Sequence, residues 1–171
     1  MKGMKIGTLF LVLMVGMAAV GASYALWSKT ITLSGSVATG NVDMEWSTFT
    51  DDDNGIDPGY DKNVADCTVT TTPELVTVSI TNGYPSYTCT IVGDIHNSGT
   101  IPIKLQSFVY TVPAGITVTP STGFIDPYGV QLEPLETLVG DFKIHVEQEA
   151  AQSSDYTFSI EATGQQWNEF P

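Results

Sequence analysis

The 171-residue chain is 42% hydrophobic and carries 3 Trp, 7 Tyr and 7 Phe, enough to build the core of one domain and too apolar for a disordered chain. It has no Arg and six Lys against 19 Asp and Glu, for a net charge of −13. Such a surface repels nucleic acid and anionic headgroups and leaves few surface ion pairs, so no nucleic-acid partner is expected.

Residues 1–25 read as a signal peptide. Lys2 and Lys5 form a basic start, residues 6–22 are uncharged and apolar, and Ser23-Tyr24-Ala25 puts small residues at −3 and −1, so cleavage falls between Ala25 and Leu26. The apolar run is at the short limit for a membrane span. A retained anchor is one competing reading, and a pilin-type leader cut after Gly3 is another. On the first reading the membrane is met only through the signal segment, before cleavage. Removal of residues 1–25 takes two lysines and no acid, so the net charge becomes −15.

Residues 26–38 read as a strand. Trp27, Ile31, Leu33 and Val37 share one parity, and Ser28, Thr30, Thr32, Ser34 and Ser36 the other. A period of 2 puts the apolar set on one face and the hydroxyls on the other. Gly35 marks a close backbone approach or a bulge. A terminal strand with one apolar face must join a sheet, in its own subunit or in a neighbour, and periodicity does not choose between them.

Residues 39–171 read as one β domain. A short strand is expected over 42–49, then an acidic loop over 50–63 whose two Gly and one Pro interrupt regular structure. Alternating runs follow at 67–71, 75–81, 86–95, 101–112, 116–119, 141–147 and 155–163, with turns at 82–85 and 96–100. A loop is expected over 123–131, and one helical turn over 147–152. Short alternating strands between Gly and Pro turns give an all-β fold, a jelly-roll-like antiparallel β-sandwich preceded by an apolar signal helix. Cys67 and Cys89 are the two cysteines of the chain, each inside a β-like run. In an oxidising compartment one disulfide between two strands is the simplest expectation.

Two metal readings arise. Asp51, Asp52, Asp53, Asn54, Asp57 and Asp61 offer the hard oxygens that Ca²⁺ takes, although the spacing is not that of an EF-hand. The competing reading is a solvated acidic loop, and no cofactor is otherwise expected. His96 and His145, with Glu147, are the residues a zinc site would need. No His-Glu-x-x-His pair is present, and His145 and Glu147 have the parity of an exposed polar face. No Gly-x-Ser-x-Gly elbow supports a hydrolase. Trp167 reads as a core cap or a subunit contact.

Three passages resemble the TasA/camelysin family of exported β-sandwich proteins. They are the junction from Gly21 to Ser28 with its continuation from Ser36 to Met44, the stretch Val92-Gly93-Asp94-Ile95-His96-Asn97-Ser98-Gly99-Thr100-Ile101-Pro102-Ile103-Lys104, and the closing run Phe158-Ser159-Ile160-Glu161-Ala162-Thr163-Gly164-Gln165-Gln166-Trp167-Asn168. The resemblance implies a jelly-roll subunit of an extracellular fibre, whose N-terminal strand completes the sandwich of the next copy. Trp27, Ile31, Leu33 and Val37 would be the plugs. Strand addition takes affinity from main-chain hydrogen bonds and register from alternate pockets, and a head-to-tail contact that does not close yields a filament. The expected partner is therefore the chain itself, as a homopolymer, with no catalytic role. The alternatives are a secreted metallopeptidase of the camelysin type and a monomeric Ca²⁺-binding surface module.

Overall fold

The computed structural model describes residues 3–25 and 31–171, with side chains from 6–21 and 31–171. It divides into two units, Met1–Ala38 and Thr39–Pro171. In the first, α1 spans Gly3–Ala25. It carries no Pro and is rich in Leu, Met and Ala, which favour helix. Its described side chains are apolar on every side, and Leu9, Phe10 and Met14 are exposed. Among the described residues no helix is long and apolar enough to cross a membrane.

The strand expected over 26–38 is not formed by its described part. Residues 31–38 enter no ladder, and a strand without a partner has no hydrogen bonds to hold it. Trp27, Leu26 and the Ala25 side chain lie outside the described residues, as does the 26–30 part of the predicted strand.

The second unit is an antiparallel β-sandwich of ten strands. They are β1 (Glu45–Trp46), β2 (Thr50–Asp51), β3 (Asp66–Thr71), β4 (Val76–Gly83), β5 (Thr88–His96), β6 (Ile103–Thr111), β7 (Ile116–Ser121), β8 (Gln131–Leu132), β9 (Thr137–Val146) and β10 (Ser154–Gln166). One sheet runs β1-β5-β9-β7, with β2 also on β5; the other runs β3-β4-β10-β6-β8. From β4 onward the chain changes sheet at every connection, the crossing habit of a jelly roll. The strand expected over 42–49 is instead the two short pieces β1 and β2 on the edge of β5. The helical turn expected over 147–152 is a tight turn, closed by Ala150 N–H to Glu147 O at 3.1 Å.

Period-2 burial along the strands supplies the core: Ile91, Ile95, Phe142, Ile144 and Val146 from one sheet, and Val76, Val78, Ile80, Leu105, Phe158 and Ile160 from the other. Each such side chain contributes about 1.5–3 kcal/mol on burial. The middle of the core is aromatic. Gly93 of β5 pairs directly with Gly140 of β9. A Cβ on Gly93 would lie 2.3 Å from the Phe49 ring, and one on Gly140 would lie 2.4 Å from the Phe124 ring. These two glycines are slots that admit aromatic rings from loops. Both rings pack on Phe142, with centroids 6.3 Å and 5.0 Å away, and Trp46 lies edge-on to all three.

The disulfide is formed. Cys67 of β3 is bonded to Cys89 of β5, tying one sheet to the other across a sequence separation of 22.

Candidate functional site

Three places carry the residues singled out by the sequence: the arm at 31–38, the acidic loop, and the two histidines.

In the arm, Ile31 is 83% exposed, Leu33 96% and Val37 94%. Apolar side chains so bare, on alternate residues of an unpaired stretch, are unusual in a soluble domain. Where this chain joins the sandwich it is fastened. Thr100 N–H donates to Asn41 O at 2.9 Å, Asn41 N–H to the Thr100 hydroxyl at 2.8 Å, and Gly99 N–H to Asp43 O at 3.2 Å. The fit is tight. A Cβ on Gly40 would lie 2.1 Å from Ile101 Cγ2, and one on Gly99 would lie 2.5 Å from Asn41 O. Asn97 holds the turn from beneath. It is fully buried, and its amide nitrogen donates to Ile101 O at 3.0 Å and Leu132 O at 2.9 Å, while its side-chain oxygen accepts from Gly99 N–H at 3.0 Å. Two of the passages quoted above, 36–44 and 92–104, thus meet at one clamp. Sequence reading marked both passages but not their contact; the buried Asn between a strand and an x-Gly turn was the available signal.

The acidic loop is wired inward. Asp52 Oδ1 accepts from Thr90 N–H at 2.7 Å. Asp53, buried, accepts from Gly55 N–H at 3.3 Å, Cys67 N–H at 3.1 Å and the Tyr87 hydroxyl at 2.5 Å. Asp57, 1% exposed, accepts from Val64 N–H at 3.0 Å, Ala65 N–H at 3.5 Å and the Tyr84 hydroxyl at 2.8 Å. Asp51 lies on β2, where partial burial raises its pKa above the usual carboxylate value. Asn54 turns its amide to Asp52 O at 3.4 Å, and Asp61 is exposed. Two of the six expected calcium ligands, Asp53 and Asp57, thus accept from donors of the protein itself; among the described residues no group of three His, Cys, Asp or Glu is placed to hold a metal ion. Hydrogen-bond donors, including two phenols, satisfy the buried carboxylates. The phenols were missed because nothing in the local spacing links Tyr84 and Tyr87 to carboxylates some 30 residues earlier.

Burial first, and the carboxylate each faces second, push the Tyr87 and Tyr84 hydroxyls well above the ordinary phenol value. The folded state then keeps protons that the unfolded chain releases near pH 10, so this stability is complete below pH 10 and is lost as pH rises through the folded values. The buried Tyr87 alone gives a slope of about 1.4 kcal/mol per pH unit. Urea midpoints between pH 9 and 11.5 should fall steeply for the native chain and less steeply for Tyr87→Phe. Parallel curves would show that the phenol stays ionisable in the fold.

His96 and His145 stand at opposite ends of the β5–β9 ladder, His96 opposite Thr137 and His145 opposite Thr88. Eight ladder steps separate them by roughly 27 Å. One zinc ion needs its ligands about 2 Å away, so the two cannot share it. His145 Nδ1 is 3.0 Å from the Thr88 hydroxyl, its Nε2 is 3.9 Å from Glu147, and His96 Nδ1 is 3.1 Å from the Thr137 hydroxyl. Trp167, 48% exposed, donates its backbone N–H to Pro102 O at 3.2 Å.

No protein-family model, no curated protein and no solved structure matches this chain.

Proposed function

We propose that the chain is the subunit of an extracellular filament, of the biofilm-matrix or bundling-pilus kind, and that residues 26–38 are the strand each copy donates to the next. The observation that carries this reading is the row Ile31, Leu33 and Val37, bare and unpaired, ahead of a clamp that fixes where the chain enters the sandwich. Export supports it: α1 serves as the signal, cleavage between Ala25 and Leu26 frees the arm, and the Cys67–Cys89 disulfide suits an oxidising compartment. The resemblance to TasA/camelysin proteins points the same way. No catalytic residue is assigned, and the partner is the chain itself.

Burying three apolar side chains contributes about 6 kcal/mol to each contact, more than 10⁴-fold in Kd. The mature chain from Leu26 should therefore form fibres under the electron microscope. The triple variant Ile31→Asp, Leu33→Asp, Val37→Asp should sediment as a monomer with an unchanged Tm, because none of the three side chains touches the core. A native mature chain that stays a sharp monomer at high concentration would refute the reading, as would fibres from the triple variant.

A further inference from the structure

We propose that the receiving site for residues 31–37 of a second copy is the free edge of β6, at residues 106–111. The proposal rests on the strand-donation reading above and names the place where the strand docks.

Each other sheet edge is short, covered or blunted. The outer side of β3 is held at both ends, with Cys67 N–H donating to Asp53 at 3.1 Å, Phe49 N–H to the Thr71 hydroxyl at 3.3 Å and, just past the strand, Trp46 N–H to Pro73 O at 2.8 Å. β1, β2 and β8 have two residues each. β7 contains Pro120, which has no N–H to offer and is a common guard of exposed edges.

β6 has no such protection. On its outer side β8 covers Ile103 and Lys104, and Leu105 exchanges bonds with Val130 O and Gly129 N–H at 2.9 and 2.8 Å. Beyond Leu105 its ladder runs to β10 alone. The register skips Gln106, a bulge that restores the inward parity at Phe108 and Tyr110. Along one strand the direction of the amide follows the direction of the side chain. Phe108 and Tyr110 thus turn their backbone groups outward, as inward-facing Leu105 does. The stretch Gln106-Ser107-Phe108-Val109-Tyr110-Thr111 has no charge and no Pro, the profile of an edge that accepts a strand. The core is thinly covered here. Phe108 packs 5.1 Å from Phe124 and 5.2 Å from Phe142, and Tyr110 packs 6.0 Å from Phe142, yet both remain partly exposed, as does Val118 on β7.

The arm matches this edge in three respects. Seven extended residues reach about 23 Å, enough for a six-residue edge. Its apolar side chains alternate, as a strand covering one side of a core requires. Residues 31–38 are also free of charge. Two mature copies at −15 repel through most of their surfaces, and a contact between two charge-free stretches avoids that cost. A second copy is the occupant because the chain enters its own sandwich at Gly40, beside Ile101, and the edge between there and Gln106 is already filled by β8 and Val130.

Two mature chains test the site. A size-tagged chain carries Thr32→Cys, Ser34→Cys or Ser36→Cys, and an untagged chain carries Val109→Cys, or Thr70→Cys on β3 or Thr117→Cys on β7 as controls. After mixing and mild oxidation, the tagged–untagged heterodimer is read on a non-reducing gel. The Val109→Cys heterodimer should exceed either control about tenfold, the gain expected from strand-held proximity. Fibres whose heterodimer forms through Thr70→Cys or Thr117→Cys, or through none of the three, would overturn the β6 site and leave the filament reading standing. No fibres and no heterodimer would overturn both. A chain carrying Ser34→Cys and Val109→Cys together that closes on itself at high dilution would overturn the second copy as occupant.

Discussion

Asp53→Ala should cost about 4 kcal/mol of folding stability. The substitution removes a buried acceptor and leaves two buried donors, Cys67 N–H and the Tyr87 hydroxyl, with nothing to bond. Each orphaned donor costs about 1–3 kcal/mol, and Tyr87 is fully buried, so water cannot replace the carboxylate there. Gly55 N–H, in the partly exposed part of the loop, should recover a water at little cost. The double variant Asp53→Ala, Tyr87→Phe removes one orphan and should regain about half of the loss, which a double-mutant cycle in urea reads directly. A loss under about 1 kcal/mol for Asp53→Ala would mean that the loop rearranges and that the carboxylate is not a fixed part of the fold.

Replacing both cysteines by serine should cost about 3 kcal/mol, the chain-entropy value for a loop of this length. Cys67 is 1% exposed and Cys89 fully buried, so a reductant should act slowly on the native chain and readily on the unfolded one. The disulfide and Asp53 fasten the same seam: Asp53 bonds the backbone of Cys67, and Tyr87 stands two residues before Cys89. Their effects should therefore fail to add. The triple variant lacking Asp53 and both cysteines should be measurably less destabilised than the separate losses predict, because residues in contact share their couplings. Strict additivity would show two independent fasteners.

The sandwich was legible in the sequence because strands buried on one face repeat every second residue, and residues such as Ile91, Phe142, Ile144 and Ile160 obey that period. The disulfide was legible for the same reason, since both cysteines fall in such runs. Contacts between segments distant in sequence were not. Phe49 and Phe124 enter the core from loops, through space that Gly93 and Gly140 leave, and no local pattern announces a glycine as a socket for a ring far along the chain. In the acidic loop, composition counts carboxylates without saying which way they face. Asp53 and Asp57 face inward, to tyrosines. The arm had a strand's period, but an edge must receive it, and pairing is a property of two segments.

The clamp at Gly40 also decides how the molecule would yield when pulled. Tension applied through the N-terminal arm reaches the sandwich first at the Asn41–Thr100 and Asp43–Gly99 bonds. It passes next to Asn97, which ends β5 in one sheet and grips Leu132 of β8 in the other, so both sheets resist together. Once those bonds part, β1, β2 and the acidic loop can peel away in turn. The peeling halts at Cys67, which is covalently held to Cys89. Residues 39–66 can therefore pay out roughly 95 Å of extended chain before a covalent stop. Such a domain would stretch under a pull and then hold.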